Sequence, residues 1–277
     1  MADKLPIVDE KKDYFKMNRK KMTEDVMRLK DKVAVVTGAG SGLGKKIAEK
    51  LAEEGAKVAL ADISLENAKK AKEEIEKNGG EAEVFQADVT SEEQIQKLFA
   101  DVEKKFGGID LLYNNAGISP VGTVETTTYQ EFQKVLAIDL YSVFLGCKYV
   151  ISYMRKRGGG SIVNTAGTFG IKPIPNKIGY CCAKAGVISI TRSVAIDMAK
   201  DNIRCNAICP GFVDTPLNKD FVGEERENFL KTYQPMDIKV EAEDIANMAV
   251  FLSCEEARTI TGQPMVIDGG TEACLYY

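Results

Sequence analysis

The chain has 277 residues, 44% of them hydrophobic and 28% charged, with a formal net charge of -4. That length suits one large α/β domain or two small ones with a substantial core, and the charge balance gives no electrostatic footprint for nucleic acid. No apolar run reaches the roughly 18 residues of a membrane-spanning helix, and Met1 to Lys32 is too charged for a secretory signal, so no membrane partner is expected. There is no histidine, which excludes Ser-His-Asp hydrolysis, histidine-based zinc sites and histidine acid/base chemistry. Tyrosine, lysine and carboxylates must carry any proton chemistry, and no metal centre is expected. Seven cysteines, an odd number with no Cys-x-x-Cys pair, read as the reduced thiols of a cytoplasmic protein.

Residues 1–31 read as an N-terminal extension. A short helix is expected from Thr23, with Glu24 and Asp25 in its first turn and Arg28 and Lys30 near its end. Its apolar Tyr14, Phe15, Met17, Met22, Met27 and Leu29 are placed to pack on the domain that follows. From residue 32 to 270, short apolar runs alternate with amphipathic stretches. The strands are expected at Val33 to Thr37, Lys57 to Ala61, Ala82 to Ala87, Ile109 to Tyr113, Ser161 to Thr165, Ile203 to Cys209 and Met265 to Ile267. Helices are expected at Gly42 to Glu54, Leu65 to Lys77, Glu92 to Phe106, between Tyr129 and Arg157, at Gly179 to Lys200 and at Ala242 to Ser253. Residues 215–240 are too long for a structureless connection and read as a lid with its own helix near Glu224 to Thr232. Residues 271–277 form a C-terminal tail. Seven strands alternating with helices predict a doubly wound parallel sheet covered on both faces, with its ligand beyond the carboxyl ends of the strands. Gly38, Asp62, Asp88, Asn115, Thr165 and Pro210 fall there.

The run Thr37-Gly38-Ala39-Gly40-Ser41-Gly42-Leu43-Gly44 follows the first strand and opens a helix. Glycines allow a tight turn and close approach to a pyrophosphate, whose charge is stabilised by the free N–H groups of a helix N-terminus. Asp62, about 20 residues further on at the end of the second strand, is placed to accept hydrogen bonds from ribose hydroxyls and to repel a 2′-phosphate. Neither Ser41 nor Ile63 supplies a cation to neutralise that phosphate, so NAD is expected rather than NADP.

Tyr180 and Lys184 stand four residues apart in a helical stretch and so share one face. A phenol beside an ammonium is a proton donor whose pKa the cation is expected to lower, which suits moving a proton on or off a hydroxyl or carbonyl oxygen.

Taken together, Thr37-Gly-x-x-x-Gly-x-Gly44, Asp88-Val89, Asn114-Asn115-Ala116-Gly117, Tyr180-x-x-x-Lys184 and Pro210-Gly211-x-x-x-Thr215 resemble, in order and spacing, the motif set of the short-chain dehydrogenase/reductase family. The resemblance spans residues 30 to 270. It implies a single Rossmann-type domain with strand order 3-2-1-4-5-6-7. It further implies that Asp88 and Val89 contact adenine, that Asn115, Ala116 and Gly117 line the cofactor cleft, that Val213 and Thr215 hold the nicotinamide amide, and that Pro210 and Gly211 also belong to the cofactor site. Lys184 then also bonds the nicotinamide ribose. Homotetramers or homodimers are implied, with the apolar Leu275-Tyr276-Tyr277 end as a candidate interface element.

Two positions depart from the family pattern. The serine that usually holds the substrate oxygen is replaced by Gly167 in Asn164-Thr165-Ala166-Gly167-Thr168-Phe169-Gly170, and Thr168, one residue on, is the candidate surrogate. Asp139 stands where an asparagine is usual and is placed to pair with Lys184. The candidate catalytic residues are therefore Tyr180, Lys184, Thr168 and Asp139. The expected activity is NAD-dependent interconversion of a secondary alcohol and a ketone on a small-molecule substrate. Phe169, Ile171, Pro173, Ile174, Pro175 and Ile178, with Leu217, Phe221, Phe229 and Tyr233 of the lid, suggest an apolar pocket for a bulky substrate such as a hydroxysteroid. A polyol, a 3-oxoacyl thioester, or a cofactor-binding subunit that has lost catalysis are the alternatives.

Overall fold

Apolar runs, buried through the central strands and part-exposed in the edge strands β3 and β7, form β1 (Val33–Thr37), β2 (Lys57–Asp62), β3 (Glu81–Gln86), β4 (Leu111–Asn114), β5 (Gly160–Thr165), β6 (Ile203–Pro210) and β7 (Pro264–Ile267) of the computed structural model, which describes residues 27–218 and 223–274. All pairings are parallel, in the order β3-β2-β1-β4-β5-β6-β7. Alternate residues of β1 point to opposite faces, as the strand period requires. Ala34 and Val36 join a cluster with Ile47, Leu51, Ile245 and Val250. Val33 and Val35 join a second cluster with Leu98, Val102, Val150 and Val187. The first face is covered by α1 (Gly42–Glu53), α2 (Leu65–Lys77) and α8 (Ala242–Ser253), and the second by α3 (Glu92–Phe106), α5 (Ser142–Lys156) and α6 (Ile178–Asp197). This is the doubly wound Rossmann-type sheet that the alternating pattern predicts.

Local chemistry sets the ends of these helices. The Ser64 and Ser91 side chains accept the N–H groups of Asn67 and Gln94 at the starts of α2 and α3. Thr128 and Glu131 form a reciprocal capping box at the start of α4 (Tyr129–Leu136). Between α4 and α5 the helix widens into a single π turn, Ala137–Tyr141, so that Tyr129–Lys156 is one continuous helical run. This run is long and apolar enough to cross a membrane by composition, with mean hydropathy 1.6 over 18 residues, but half of that window is buried inside the fold.

Several boundaries differ from expectation. β4 starts at Leu111 rather than Ile109, and the Asp110 carboxylate just before it accepts the Val33 N–H (2.9 Å) and pairs with Arg157 (3.1 Å). Helix α6 stops at Asp197 rather than Lys200, and the chain continues through a 3-10 turn to Asn202 in the left-handed region (φ 56°). The lid helix α7 spans Gly223–Tyr233. Arg28 and Lys30, expected at the end of an N-terminal helix, sit instead in a turn in which Lys32 N–H donates to the Leu29 carbonyl (3.0 Å). The start of that helix at Thr23 lies outside the described residues, as do Phe221 of the lid and Leu275 to Tyr277.

Leu29 nevertheless belongs to the core. It is 1% exposed within the first cluster, and its N–H donates to the Glu54 carbonyl at the end of α1 (2.9 Å) while Arg28 pairs with the Glu54 carboxylate. Truncating a fully buried leucine removes transfer energy and leaves a cavity. Leu29→Ala is therefore expected to cost about 2–4 kcal/mol of unfolding free energy in urea denaturation, whereas Met27→Ala, at a residue 57% exposed, should change it by less than about 0.5 kcal/mol.

Candidate active site

The strand order reverses between β1 and β4, and the two loops that leave their carboxyl ends are tied together there. The Thr37 hydroxyl accepts the N–H groups of Asn115 (3.0 Å) and Ala116 (3.2 Å) and donates to the Tyr113 carbonyl (3.3 Å). In sequence Thr37 is only the start of the glycine run, and its organising role depends on a register visible only in three dimensions. Gly42 opens α1 with φ +54°, and a Cβ on Gly44 would lie 2.2 Å from the Gly38 carbonyl oxygen, so α1 packs directly on the turn. The side chain of Ser41, the N-cap of α1, makes no capping bond, and no acidic residue occupies the first turn. That is the electrostatic setting an anionic diphosphate requires.

A cavity of about 880 Å³ runs from this turn across the carboxyl edge of the sheet. Gly38, Ser41, Gly42, Leu43, Asp62, Ile63, Asp88, Val89, Asn115, Ala116, Gly117, Pro210, Gly211, Val213 and Thr215 line it, as do Asp139, Tyr180 and Lys184. Gly44 and Thr168 do not. Asp62 is held in place: one carboxylate oxygen accepts the Gly40 N–H and the other the Ser64 N–H, both at 2.8 Å. Among the described residues, no lysine or arginine lines the cavity around Asp62, Ile63, Asp88 and Val89.

At the other end, α6 carries Tyr180 and Lys184 on one face, with the Lys184 ammonium 5.5 Å from the centre of the Tyr180 ring. Lys184 is 3% exposed and donates to the Thr165 carbonyl at the end of β5 (2.9 Å). The π turn brings in Asp139, fully buried, with one carboxylate oxygen accepting the Ile118 N–H (2.9 Å) and the other 3.3 Å from Lys184. Burial lifts the Asp139 carboxyl above its ordinary range, and the lysine charge opposes the rise. Tyr180 makes no hydrogen bond to another described residue, and its side chain faces the cavity.

Two expectations about this end are corrected. Burial pushes the Tyr180 phenol up from its ordinary value and the Asp139 carboxylate acts in the same direction, so the lowering expected from Lys184 alone does not prevail. Nor does Thr168 reach the cleft. Gly167 is extended (φ 168°), and the 3-10 turn Thr168–Gly170 that follows buries the Thr168 hydroxyl against the Cys209 and Pro210 carbonyls (3.4 and 3.1 Å) and the Asp268 carboxylate (3.3 Å). Gly167 itself lies against Tyr180. The nearest atoms to a Cβ placed there belong to the Tyr180 side chain, with the hydroxyl at 3.1 Å, a close approach that a small shift of the phenol would accommodate.

The remaining lining is largely apolar, with Ser119, Asn176, Lys177 and Asn218 among its polar members. Phe169, Ile174 and Pro175 line the cavity as expected, joined by Ile118, Pro120, Val121 and Phe212, while Ile171, Pro173 and Ile178 do not. Leu217 and Phe229 reach it from the lid, and Tyr233 stacks on Phe229 with ring centres 5.0 Å apart.

Comparison with known proteins agrees with this geometry. The family model described as enoyl-(acyl carrier protein) reductase matches residues 38–272. An uncharacterised oxidoreductase of Thermotoga maritima is 40% identical over 253 residues, which cover 89% of this chain and 100% of that protein. Levodione reductase of Leifsonia aquatica is 38% identical over 256 residues, covering 89% of this chain and 96% of that protein. Among solved structures, 7α-hydroxysteroid dehydrogenase complexed with NADH and 7-oxoglycochenodeoxycholic acid superposes with a TM-score of 0.85 at 32% identity, covering 89% of this chain and 96% of that one.

The altered position of Thr168 makes a direct prediction. Thr168→Val, which keeps the shape and deletes the hydroxyl, is expected to lower the unfolding free energy by about 1–2 kcal/mol in urea denaturation while leaving turnover within a few-fold of the parent.

Proposed function

Because the chain belongs to the short-chain dehydrogenase/reductase family, we propose that it is an NAD-dependent oxidoreductase that interconverts a secondary alcohol and a ketone, with a bulky apolar substrate such as a hydroxysteroid. One observation carries this reading: Tyr180, among the described residues the only tyrosine lining the cavity, turns a hydroxyl that has no hydrogen-bond partner among them into the space that the glycine turn and Asp62 also line. The residues present fit a dinucleotide. The N-terminus of α1 would hold the diphosphate, Asp62 the adenosine ribose, Asp88 and Val89 the adenine, and Val213 and Thr215 the nicotinamide amide. When bound, the nicotinamide supplies a hydride in one direction and accepts it in the other.

In ketone reduction, the Tyr180 hydroxyl gives its proton to the carbonyl oxygen as the carbonyl carbon gains the hydride. In alcohol oxidation, the Tyr180 oxygen takes the proton back. Lys184 orients this exchange from a fixed position, since Thr165 and Asp139 hold its ammonium and the first turns of α6 hold its backbone. The apolar part of the lining favours a hydrophobic substrate body. Gly167 offers no hydroxyl to polarise the substrate oxygen, and this favours a second reading, a cofactor-binding protein of the same fold with impaired catalysis. NADH oxidation against a panel of cyclic and steroid ketones, run beside a fluorescence titration of NADH, separates the two. Turnover of any ketone supports the first reading, and binding without turnover supports the second.

The cofactor preference is expected to rest on Asp62. NAD(H) should bind at least tenfold more tightly than NADP(H), about 1.4 kcal/mol, and Asp62→Ala should narrow the gap. Equal affinities in the parent would contradict the assignment.

At the proton end, Tyr180→Phe should lower kcat by about 100-fold or more with NADH affinity within a few-fold of the parent. Gly167→Ser places a hydroxyl beside Tyr180 in backbone that serine adopts freely. It should raise kcat about tenfold or more, since one donor aimed at a developing oxyanion is worth about 100-fold where it has been deleted.

A further inference from the structure

Lys184 and Asp139 form an ion pair in a place where neither charge reaches solvent. Lys184 is 3% exposed and Asp139 0%. Asp139 is aimed by the π turn and by the Ile118 N–H rather than by the lysine: its Oδ2 lies 3.3 Å from the ammonium but makes no hydrogen bond. A buried carboxylate so placed has the ammonium as its compensating charge, and the ammonium has the carboxylate. The pair is close to neutral as seen from Tyr180.

We propose that Asp139 is a positioning residue that cancels the positive charge Lys184 would otherwise present to Tyr180, keeping the tyrosine in its proton-donating form through neutral pH and suiting the site to ketone reduction. This rests on Tyr180 as the proton carrier of the function proposed above.

The other groups around Tyr180 do not supply the missing positive charge. Cys181 on α6 and Cys209 on β6 are thiols that burial pushes up, so neither brings a charge to the phenol at neutral pH. Lys177, three residues before Tyr180, donates to the Ser119 carbonyl and hydroxyl (2.6 and 3.0 Å). The surroundings as a whole raise the phenol above the ordinary tyrosine range, with burial the largest cause and Asp139 the next. Replacing the carboxylate by a neutral side chain leaves Lys184 uncompensated beside the phenol, which favours the phenolate, so the sign of the effect is a fall in the pH at which Tyr180 ionises. Alcohol oxidation, which needs the ionised tyrosine, should then begin at lower pH.

The test reads Tyr180 directly. Near-ultraviolet tyrosinate absorbance is followed during an alkaline titration of the parent and of Tyr180→Phe, and the difference isolates Tyr180. The same subtraction is made in Asp139→Asn, which preserves shape, and in Asp139→Ala, which also removes the acceptor for the Ile118 N–H. In the parent the Tyr180 midpoint should lie at or above the ordinary value of about 10. Both Asp139 variants should lower it by about one pH unit or more, and the pH limb of kcat/KM for alcohol oxidation should move by the same amount. A parent midpoint well below the ordinary value, or a midpoint unmoved in a folded variant, overturns the proposal while leaving the oxidoreductase reading intact. A shifted midpoint in a protein that turns over no ketone upholds the electrostatic role and overturns the oxidoreductase reading instead.

Discussion

Burying the ammonium of Lys184 is the constraint around which the site is arranged. A lysine with 3% exposure must find compensation inside the protein, and it finds it in the carbonyl that ends β5 and in a carboxylate from the π turn between α4 and α5. Three segments far apart in sequence therefore meet at one cation, and the meeting fixes where α6 presents Tyr180. The carboxylate in turn is oriented by the Ile118 N–H, which ties the loop after β4 into the same cluster. Proton chemistry and fold are thus coupled through a single charge.

Most of the architecture is legible from sequence because strands buried on both faces read as apolar runs, and β1 and β2 show this plainly. The glycine run is legible for a different reason, since steric demands on the backbone leave few residue types that satisfy them. What sequence does not show is direction. Thr168 is a hydroxyl next to the departure from the family pattern, but whether it faces the cleft depends on Gly167 being extended and on the 3-10 turn behind it. Those two features send it to Asp268 and the β6 carbonyls. Likewise Tyr180 and Lys184 announce themselves by spacing, whereas the charge that decides their interplay comes from Asp139, 41 positions before Tyr180. The π turn that aims Asp139 has no pattern of its own, and sequence shows only helical character between Tyr129 and Arg157.

The cavity combines two environments that suit different parts of one reaction. At the glycine turn the walls are backbone N–H groups and the fixed Asp62 carboxylate, a setting for an anionic, hydroxyl-bearing ligand. Towards the lid they are Phe169, Ile174, Phe212 and Phe229, a setting for an apolar body. Tyr180 and Lys184 lie at the junction. Family membership gives the general chemistry, and the missing side chain at Gly167 and the carboxylate at Asp139 are where this chain departs from the pattern it otherwise follows.

The central claim is that this junction moves hydrogen between a nicotinamide and a carbonyl carbon. The most direct measurement supplies NADH deuterated at the transferable position of C4 together with cyclic and steroid ketones, and examines the alcohol products by NMR. Deuterium on the carbinol carbon, absent with Tyr180→Phe, is the result predicted here. NADH bound at the site with no deuterium delivered to any ketone would contradict it.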